Sequence, residues 1–411
     1  MKVLLVIEEI PHRTDSGALA YLRLFIDYCG ERPIDLTLLV TGHRFEQLQL
    51  DPRALFPGAR PRLLGPDLLR IGHRYLVVGL RSWRHTLFSW LMHRGPRALR
   101  AAALRLRGKT QGHAAIIGRR LSSDEARGLR GAIAAAAPDI MIVNTIFAAA
   151  ILESKPANAR AIVITHDVMS ERTRTLEARS LRVQPRVTAA DEADILGRFD
   201  ALVAISETDA TALHTLAPLP PVFVVSPPIT SRTAHRQPDP TRLAFIGSGT
   251  AHNRDGLSWF LDSVWPSVIA SIPTARLDVI GGICNAVRAG VPGLHLHYVL
   301  DDVAPALARA SFAINPLLAG SGLKIKMLDY FAQGVPAIST TIGAAGFPRN
   351  GAEPFLVCDD PAAFAAAVIR WLEEPGVAAQ YAGHCRSYAQ LFSRDAAYRA
   401  LDQVLRTPRR G

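Results

Sequence analysis

Five short apolar runs punctuate the first half of the chain. "KVLLVI" at 2–7, "DLTLLV" at 35–40, "DIMIVN" at 139–144, "AIVITH" at 161–166 and "ALVAIS" at 201–206 are apolar at consecutive rather than alternating positions. Such runs read as parallel strands buried on both faces. Between them apolar residues recur at helical spacing, as in Gly17 to Cys29 and Ser206 to Leu216. The alternation stops at "PLPPVFVVSPPITSRTAHRQPDP", residues 218–240, which is dense in proline and holds one short strand. It resumes with "RLAFIG" at 242–247, "ARLDVIGG" at 275–282, "LHLHYV" at 294–299, "SFAINP" at 311–316 and "VPAIST" at 335–340. The pattern predicts an α/β protein of two facing, doubly wound, Rossmann-like domains. The expected boundaries are 1–225 for the first domain, 226–240 for a proline-rich linker and 241–391 for the second, with a last helical segment in 392–411. Open α/β sheets take ligands at the carboxyl ends of their strands, so the expected site is the interdomain cleft.

Composition changes this picture little. Hydrophobic residues make up 49% and charged residues 20% of the 411, which is ordinary for a globular chain. The four cysteines, Cys29, Cys284, Cys358 and Cys385, show neither a CxxC pair nor metal-ligand spacing, and read as reduced thiols of a cytosolic protein. The start "MKVLLVIEEI" ends its apolar run at Glu8 and Glu9, too early for a signal peptide. The longest apolar stretch, 140–152, is interrupted by Asn144 and Thr145 and falls short of the roughly 18 residues of a membrane span. The expectation is a soluble cytoplasmic protein.

Charge changes the picture more. The net charge is +11, yet residues 68–123 alone contain twelve Arg or Lys and no acid. Without that block the chain is close to neutral. Within it "RSWRHTLFSWLMHR" sets Trp83, Leu87, Trp90 and Leu91 at helical spacing, with Arg81, Arg84 and Arg94 on the turns. A basic amphipathic helix of this kind can lie on an anionic membrane. A helix with its apolar stripe on the core and solvated arginines explains the same residues, and the sequence leaves the two open. No nucleic-acid recognition motif accompanies the patch, so nucleic acid is not an expected partner.

Six stretches carry a resemblance, in one order along the chain. Asp15-Ser16-Gly17 precedes a helix, "ITHD" spans 164–167 and "FDALVAIS" spans 199–206. "AFIGSGTAHNRDGLSWFLDSVWP" spans 244–266, "AGSGLKIKMLDYFAQGVPAIST" spans 319–340 and "TTIGAAGF" spans 340–347. Together they resemble the GT-B glycosyltransferases, specifically the retaining family 4, in a sub-branch with a GSGxKxK donor segment. The basic 68–123 block is the part that does not match readily.

The resemblance implies a role for each matching residue. Gly17 lies in the first glycine turn, where a missing Cβ lets backbone N–H groups approach a diphosphate or sugar. His166, with Asp167 beside it to fix its tautomer or meet the acceptor, matches the active-site histidine. A histidine that merely ends a strand remains the alternative. Gly247, Ser248, Asn253 and Arg254 fall where most members hold the diphosphate with an Arg and a Lys. Asp329 matches the carboxylate on the ribose, and Ser321 stands where most members carry a sugar-side glutamate. Two cations at the start of a helix oppose its dipole unless an anion sits above the turn. Lys324 and Lys326, beside Gly320-Ser321-Gly322, are thus expected to meet the phosphates, Lys326 more directly. The last helix is expected to return to the first domain.

The implied activity is transfer of a sugar, with retention, from a nucleotide-diphosphate sugar to a hydroxyl acceptor in polysaccharide, lipopolysaccharide or glycolipid assembly. The implied partners are that donor and a glycan or lipid-linked acceptor, to which the basic 68–123 block adds an anionic membrane at its inner face. Neither a metal nor another cofactor is expected. The alternative is a non-catalytic relative that binds nucleotide sugars or docks on membranes, which Ser321 in place of a carboxylate keeps open.

Overall fold

A computed structural model of the protein describes residues 1–11, 17–43, 45, 47–84, 86–87, 114–229, 236–288, 290–300 and 302–409. Residues Asp15 and Ser16 of the first glycine turn, and most of the basic segment including Trp90, Leu91 and Arg94, lie outside the described residues.

The apolar runs become two parallel sheets. The first holds β1 (Lys2–Ile7), β2 (Asp35–Val40), β3 (Arg62–Leu64), β4 (Ile140–Asn144), β5 (Arg160–Ile164), β6 (Ala201–Ala204) and β7 (Val222–Val224). Its order is β7-β6-β5-β4-β1-β2-β3. The second holds β8 (Asp239–Ile246), β9 (Arg276–Ile280), β10 (Leu294–Tyr298), β11 (Ala310–Asn315), β12 (Ala337–Ser339) and β13 (Phe355–Val357), in the order β10-β9-β8-β11-β12-β13. Both are doubly wound, with the chain reversing its direction of travel at the first strand of each sheet. Central strands are buried on both faces because helices cover both, which is why their sequences are continuously apolar.

The helices that matter for the cleft are α1 (Gly17–Gly30), α2 (Met169–Ala178), α3 (Glu207–Leu216), α4 (Ala251–Ser263), α5 (Ile325–Ala332) and α6 (Arg394–Arg406). The α6 helix packs Leu401, Val404 and Leu405 into the same core as β1 and α1. Tyr28 donates to Asp402 at 2.6 Å, Arg394 pairs with Glu31, and Arg160 donates to the carbonyls of Leu405 and Thr407. The chain therefore ends on the domain in which it began.

Two pieces do not follow from the apolar runs. Residues Gln49–Leu50, Leu68–Ile71 and Arg74–Val77 form an antiparallel ribbon, so the basic segment opens with strands rather than with a helix. Ala114–Ile116 pairs in parallel with Arg182–Gln184 in a separate two-stranded sheet. Among the described residues no helix is long and apolar enough to cross a membrane.

Candidate functional site

The carboxyl ends of the two sheets face one another. From the first come Asn144, which ends β4, the Thr165-His166-Asp167 turn after β5, and Ser206 and Asp209 after β6. From the second come Gly247 and Ser248 after β8, and the Gly320-Ser321-Gly322 turn that leads into α5.

The turns touch. Ser321 Oγ donates to Asp167 Oδ1 and to the Val168 carbonyl, each at 3.1 Å. The Gly320 amide donates to Thr175 Oγ1 at 3.0 Å. Gly322 has a positive φ of 69°, and a Cβ there would lie 2.1 Å from Asp167 Oδ1. Only glycine seats this turn so closely on its neighbour. At the rim, Arg179 meets Asp255 through two contacts, at 3.0 and 3.1 Å. This last pair is half exposed, so Arg179→Ala is expected to lower stability to chemical denaturation by less than about 1 kcal/mol.

His166 sits at a φ of 57°, in the left-handed region. Its Nε2 bonds Asn144 Oδ1, and its ring meets Tyr21 edge-on at 5.4 Å. Burial pushes its pKa down to about 4. The ring is thus neutral at pH 7, with Nε2 carrying the proton given to Asn144 and Nδ1 left as an acceptor. The expected pairing of Asp167 with His166 is not found. Asp167 is buried against Arg172, whose Nη1 donates to its Oδ2, and Asn144 orients the histidine instead. Adjacent residues of a tight turn point in different directions, and a bond between their short side chains cannot form here.

The two lysines part ways. Lys324 is the N-cap residue of α5 and is buried. Its Nζ turns back to the carbonyls of Ser321 at 2.8 Å and Gly322 at 2.6 Å, which ties the glycine turn together. Burial lowers its pKa to about 8 against the opposing pull of Asp167 and Asp209. Lys326 donates to Asn253 Oδ1 at 2.7 Å and lies 4.5 Å over the Phe245 ring. Burial and the neighbouring Lys324 push it down to about 7. His252 lies well below the ordinary imidazole range, through burial and the repulsion of Arg172, Lys326 and Lys324. Asp209 is raised to about 6 by burial, with Asp167 adding to the effect and Ser206 opposing it.

Several expected ligands do other work. Gly17 packs on α5: a Cβ there would lie 2.7 Å from Ile325 Cβ, so its missing side chain makes room for that helix. Asn253 is buried, and its Nδ2 donates to the Ser248 carbonyl at 3.0 Å, Ser248 Oγ at 3.1 Å and Thr250 Oγ1 at 3.0 Å. With Oδ1 taken by Lys326, the side chain positions that lysine. Ser248 is exposed at the loop, and Gly247 is buried behind it. Arg254 is exposed and donates to the Gly249 carbonyl at 3.1 Å. Asp329 lies on the exposed side of α5. Gly346 of the 340–347 loop sits against Ser206 and Leu323, where a Cβ would approach Ser206 Oγ to 3.1 Å.

Sequence reading missed Arg172, Thr175, Asp209 and His252. Arg172 and Thr175 are one and two turns into α2, and nothing in their spacing shows that α2 faces the second domain. His252 was visible within "AHNRD", but only the fold brings Arg172 to it. Together, Arg172, Lys324 and Lys326 bring basic groups together beside His252, whose ring is held below the ordinary imidazole range, opposed by Asp167 and Asp209. Such a cluster has the charge to take an anion.

Comparison with solved structures then decides the architecture. Sucrose-phosphate synthase from Thermosynechococcus elongatus superposes over 99% of this chain and 98% of its own, with a TM-score of 0.69 at 14% identity. The fold is GT-B. Anabaena HepE, solved in complex with UDP and glucose, shares the GT-B fold with a TM-score of 0.62 at 12% identity, covering 99% of this chain and 100% of that one. Residues 240–374, all within the second GT-B domain, match the family described as "Glycosyl transferases group 1". A Klebsiella pneumoniae relative, "Uncharacterized 44.6 kDa protein in cps region", is 28% identical over 141 residues, covering 31% of this chain. The chain thus spans about a third, 36%, of that relative.

Proposed function

We propose that the chain moves a sugar, with retention, from a nucleotide-diphosphate sugar to a hydroxyl acceptor during surface polysaccharide, lipopolysaccharide or glycolipid assembly. One observation carries the reading: Arg172, buried Lys324 and half-buried Lys326 converge at the carboxyl ends of both GT-B sheets, where burial lowers the pKa values of both lysines. The diphosphate of a donor supplies the anion such a cluster would take. The likeness to a fold solved with UDP and glucose supports the donor class, and the relative in a cps region supports surface polysaccharide as the product.

In this reading Lys326 neutralises the leaving diphosphate, with Arg172 and the amides at the start of α5 completing the charge. Lys324 keeps the glycine turn shaped for it. The nucleotide then extends along α5, with Asp329 for the ribose hydroxyls. His166, neutral and held by Asn144, offers Nδ1 to a sugar hydroxyl near the reacting carbon. Asp167 is held by Arg172 and Ser321, and it orders the turn from which the acceptor hydroxyl arrives on the leaving-group face. Lysine and arginine supply the positive charge, so the proposal includes neither metal nor cofactor. The enzyme acts in the cytoplasm, at the inner face of the membrane.

The test is a panel of nucleotide-diphosphate sugars, followed by thermal shift and by slow donor hydrolysis. A donor that raises the melting temperature and is hydrolysed supports the reading. Failure of every donor to bind overturns it. A second reading, a non-catalytic nucleotide-sugar-binding relative, draws on Ser321, whose hydroxyl is engaged with Asp167 where a carboxylate is the family pattern. Binding without turnover in the presence of acceptor lipid and glycan panels favours it.

The lysine pKa gives a further check. A bound diphosphate favours charged Lys326, so its pKa rises on binding. At pH 8 the empty site holds Lys326 largely neutral and the filled site holds it charged. Donor binding is therefore expected to take up a fraction of a proton at pH 8, approaching one, and almost none at pH 6. Titration calorimetry in buffers of different ionisation enthalpy reads the difference. Equal uptake at both values contradicts the role given to Lys326.

A further inference from the structure

The helix that begins at Leu80 is packed inside out. In "LRSWRHTL", helical spacing sets Ser82 and Thr86 on one side and Leu80, Trp83 and Leu87 on the other. A helix on a soluble domain turns the apolar side inward. Here Ser82 is 0% and Thr86 4% exposed, while Leu80 is 80%, Trp83 49% and Leu87 64% exposed. The cause is a polar anchor beneath. Ser82 Oγ donates to Asp67 Oδ2 at 2.5 Å, and His43 Nδ1 meets the same oxygen at 2.6 Å. Thr86 Oγ1 donates to the Ser82 carbonyl at 2.8 Å, and Trp83 Nε1 to the Val77 carbonyl at 2.6 Å.

The neighbouring ribbon continues the same face. Leu69 pairs with Leu76 and Ile71 with Arg74, so the two-residue period puts these four and Val78 on one side. The other side buries Tyr75 and Val77 in the core. Leu69, Ile71 and Val78 are each more than half exposed. Arg74 shares that side, His73 lies at its turn, and Arg81 and Arg84 are exposed on the helix beside it. The acids nearby are spoken for: Asp67 is turned inward, and Asp51 stands 3.7 Å from His73 and 3.9 Å from Arg74.

We infer that this face, made by the outer side of the ribbon and the exposed side of the helix from Leu80, docks on an anionic lipid bilayer. The apolar side chains enter the acyl boundary, and the arginines meet the headgroup phosphates. Charge decides the occupant. A second copy of the same face would set cations against cations, which disfavours self-pairing. A bilayer supplies both the apolar layer and the fixed negative charge. The ribbon and helix belong to the first domain, so docking brings the cleft to a surface from which a lipid-linked acceptor could be drawn. The docking stands independently of the transferase reading, and the assay below omits any nucleotide sugar.

The full chain is centrifuged with vesicles of phosphatidylcholine alone, or of phosphatidylcholine and phosphatidylglycerol in equal parts. The expected result is co-sedimentation with the anionic vesicles, weakened by salt and absent with the neutral ones. Leu80→Gln/Leu87→Gln and, separately, Arg81→Glu/Arg84→Glu are each expected to weaken it by about tenfold or more. These side chains are exposed, so melting temperatures stay near wild type. If the helix variants misfold, Leu69→Ser/Ile71→Ser probes the same face from the ribbon. Wild type that ignores anionic vesicles, or variants that bind as wild type does, overturns the proposal. Self-association abolished by the same variants overturns it in favour of a protein partner. Donor hydrolysis without vesicles, expected to be equal in wild type and variants, reports separately on the transferase reading.

Discussion

Lys326→Ala is expected to lower kcat/KM for the preferred donor by about 100- to 1000-fold, the usual loss when one preorganised charge is removed from a leaving group. The lysine reaches the site through one hydrogen bond to Asn253 Oδ1 and a seat over the Phe245 ring, and no carboxylate among the described residues pairs with it. Its charge is therefore poorly compensated until an anion arrives. Removing it leaves the fold intact, because a lysine whose pKa falls to about 7 on folding costs the folded state stability at neutral pH. The melting temperature of Lys326→Ala without ligand should be at or above that of wild type, while the thermal shift given by the donor disappears. Lys326→Arg, which keeps the charge but not the shape, should fall between the two. A variant that still shifts and turns over as wild type does removes Lys326 from the site.

Gly322→Ala is expected to cut kcat by about 100-fold while leaving donor affinity nearly unchanged. An added Cβ would lie 2.1 Å from Asp167 Oδ1 and 2.9 Å from the His166 carbonyl, both on the opposite domain. It would also meet the strain of a φ of 69°. Neither neighbour is a flexible tip, because Asp167 is held by Arg172 and Ser321 and the other atom is backbone. The turn must move away, and the two halves of the site separate by the order of 1 Å, a displacement that costs about 100-fold in rate. The residues proposed to hold the diphosphate lie mostly on the second domain, which accounts for the split between rate and affinity. Steady-state kinetics with the preferred donor and acceptor reads it. A fall in affinity with kcat preserved would falsify the geometric argument.

The parallel sheets were legible in the chain because burial on both faces leaves a continuous apolar run, and that signal needs no partner to be recognised. Strands too short or too polar to carry it went unread. "RLL" at 62–64 and "FLV" at 355–357 are edge strands of three residues, and the ribbon at 68–77 hid within a segment that charge made conspicuous. The glycine turn and the lysines at 320–326 were visible as a contradiction, two cations at a helix start, and in the fold burial lowers the pKa of both lysines. What each residue does there was not visible. Lys324 turned back to close its own turn, Asn253 became the support of Lys326, and Gly17 made room for Ile325.

By itself, then, the sequence determined what local physics can encode: which runs are buried strands, where glycine must bend the chain, and that one segment holds the whole excess of positive charge. Tertiary structure decided which charges meet. Arg172 reaches Asp167 within its own domain, but its repulsion of His252, 80 residues further along the chain, exists only because two domains present their strand ends to each other. The direction of the helix from Leu80 was decided in the same way. Its spacing offers an apolar side and a small polar side, and a helix in isolation has no preference for which is hidden. Asp67, brought beneath it by the ribbon and paired with His43, takes Ser82 inward and leaves the leucines and the tryptophan outside. Only the folded chain supplies the carboxylate that takes Ser82 inward.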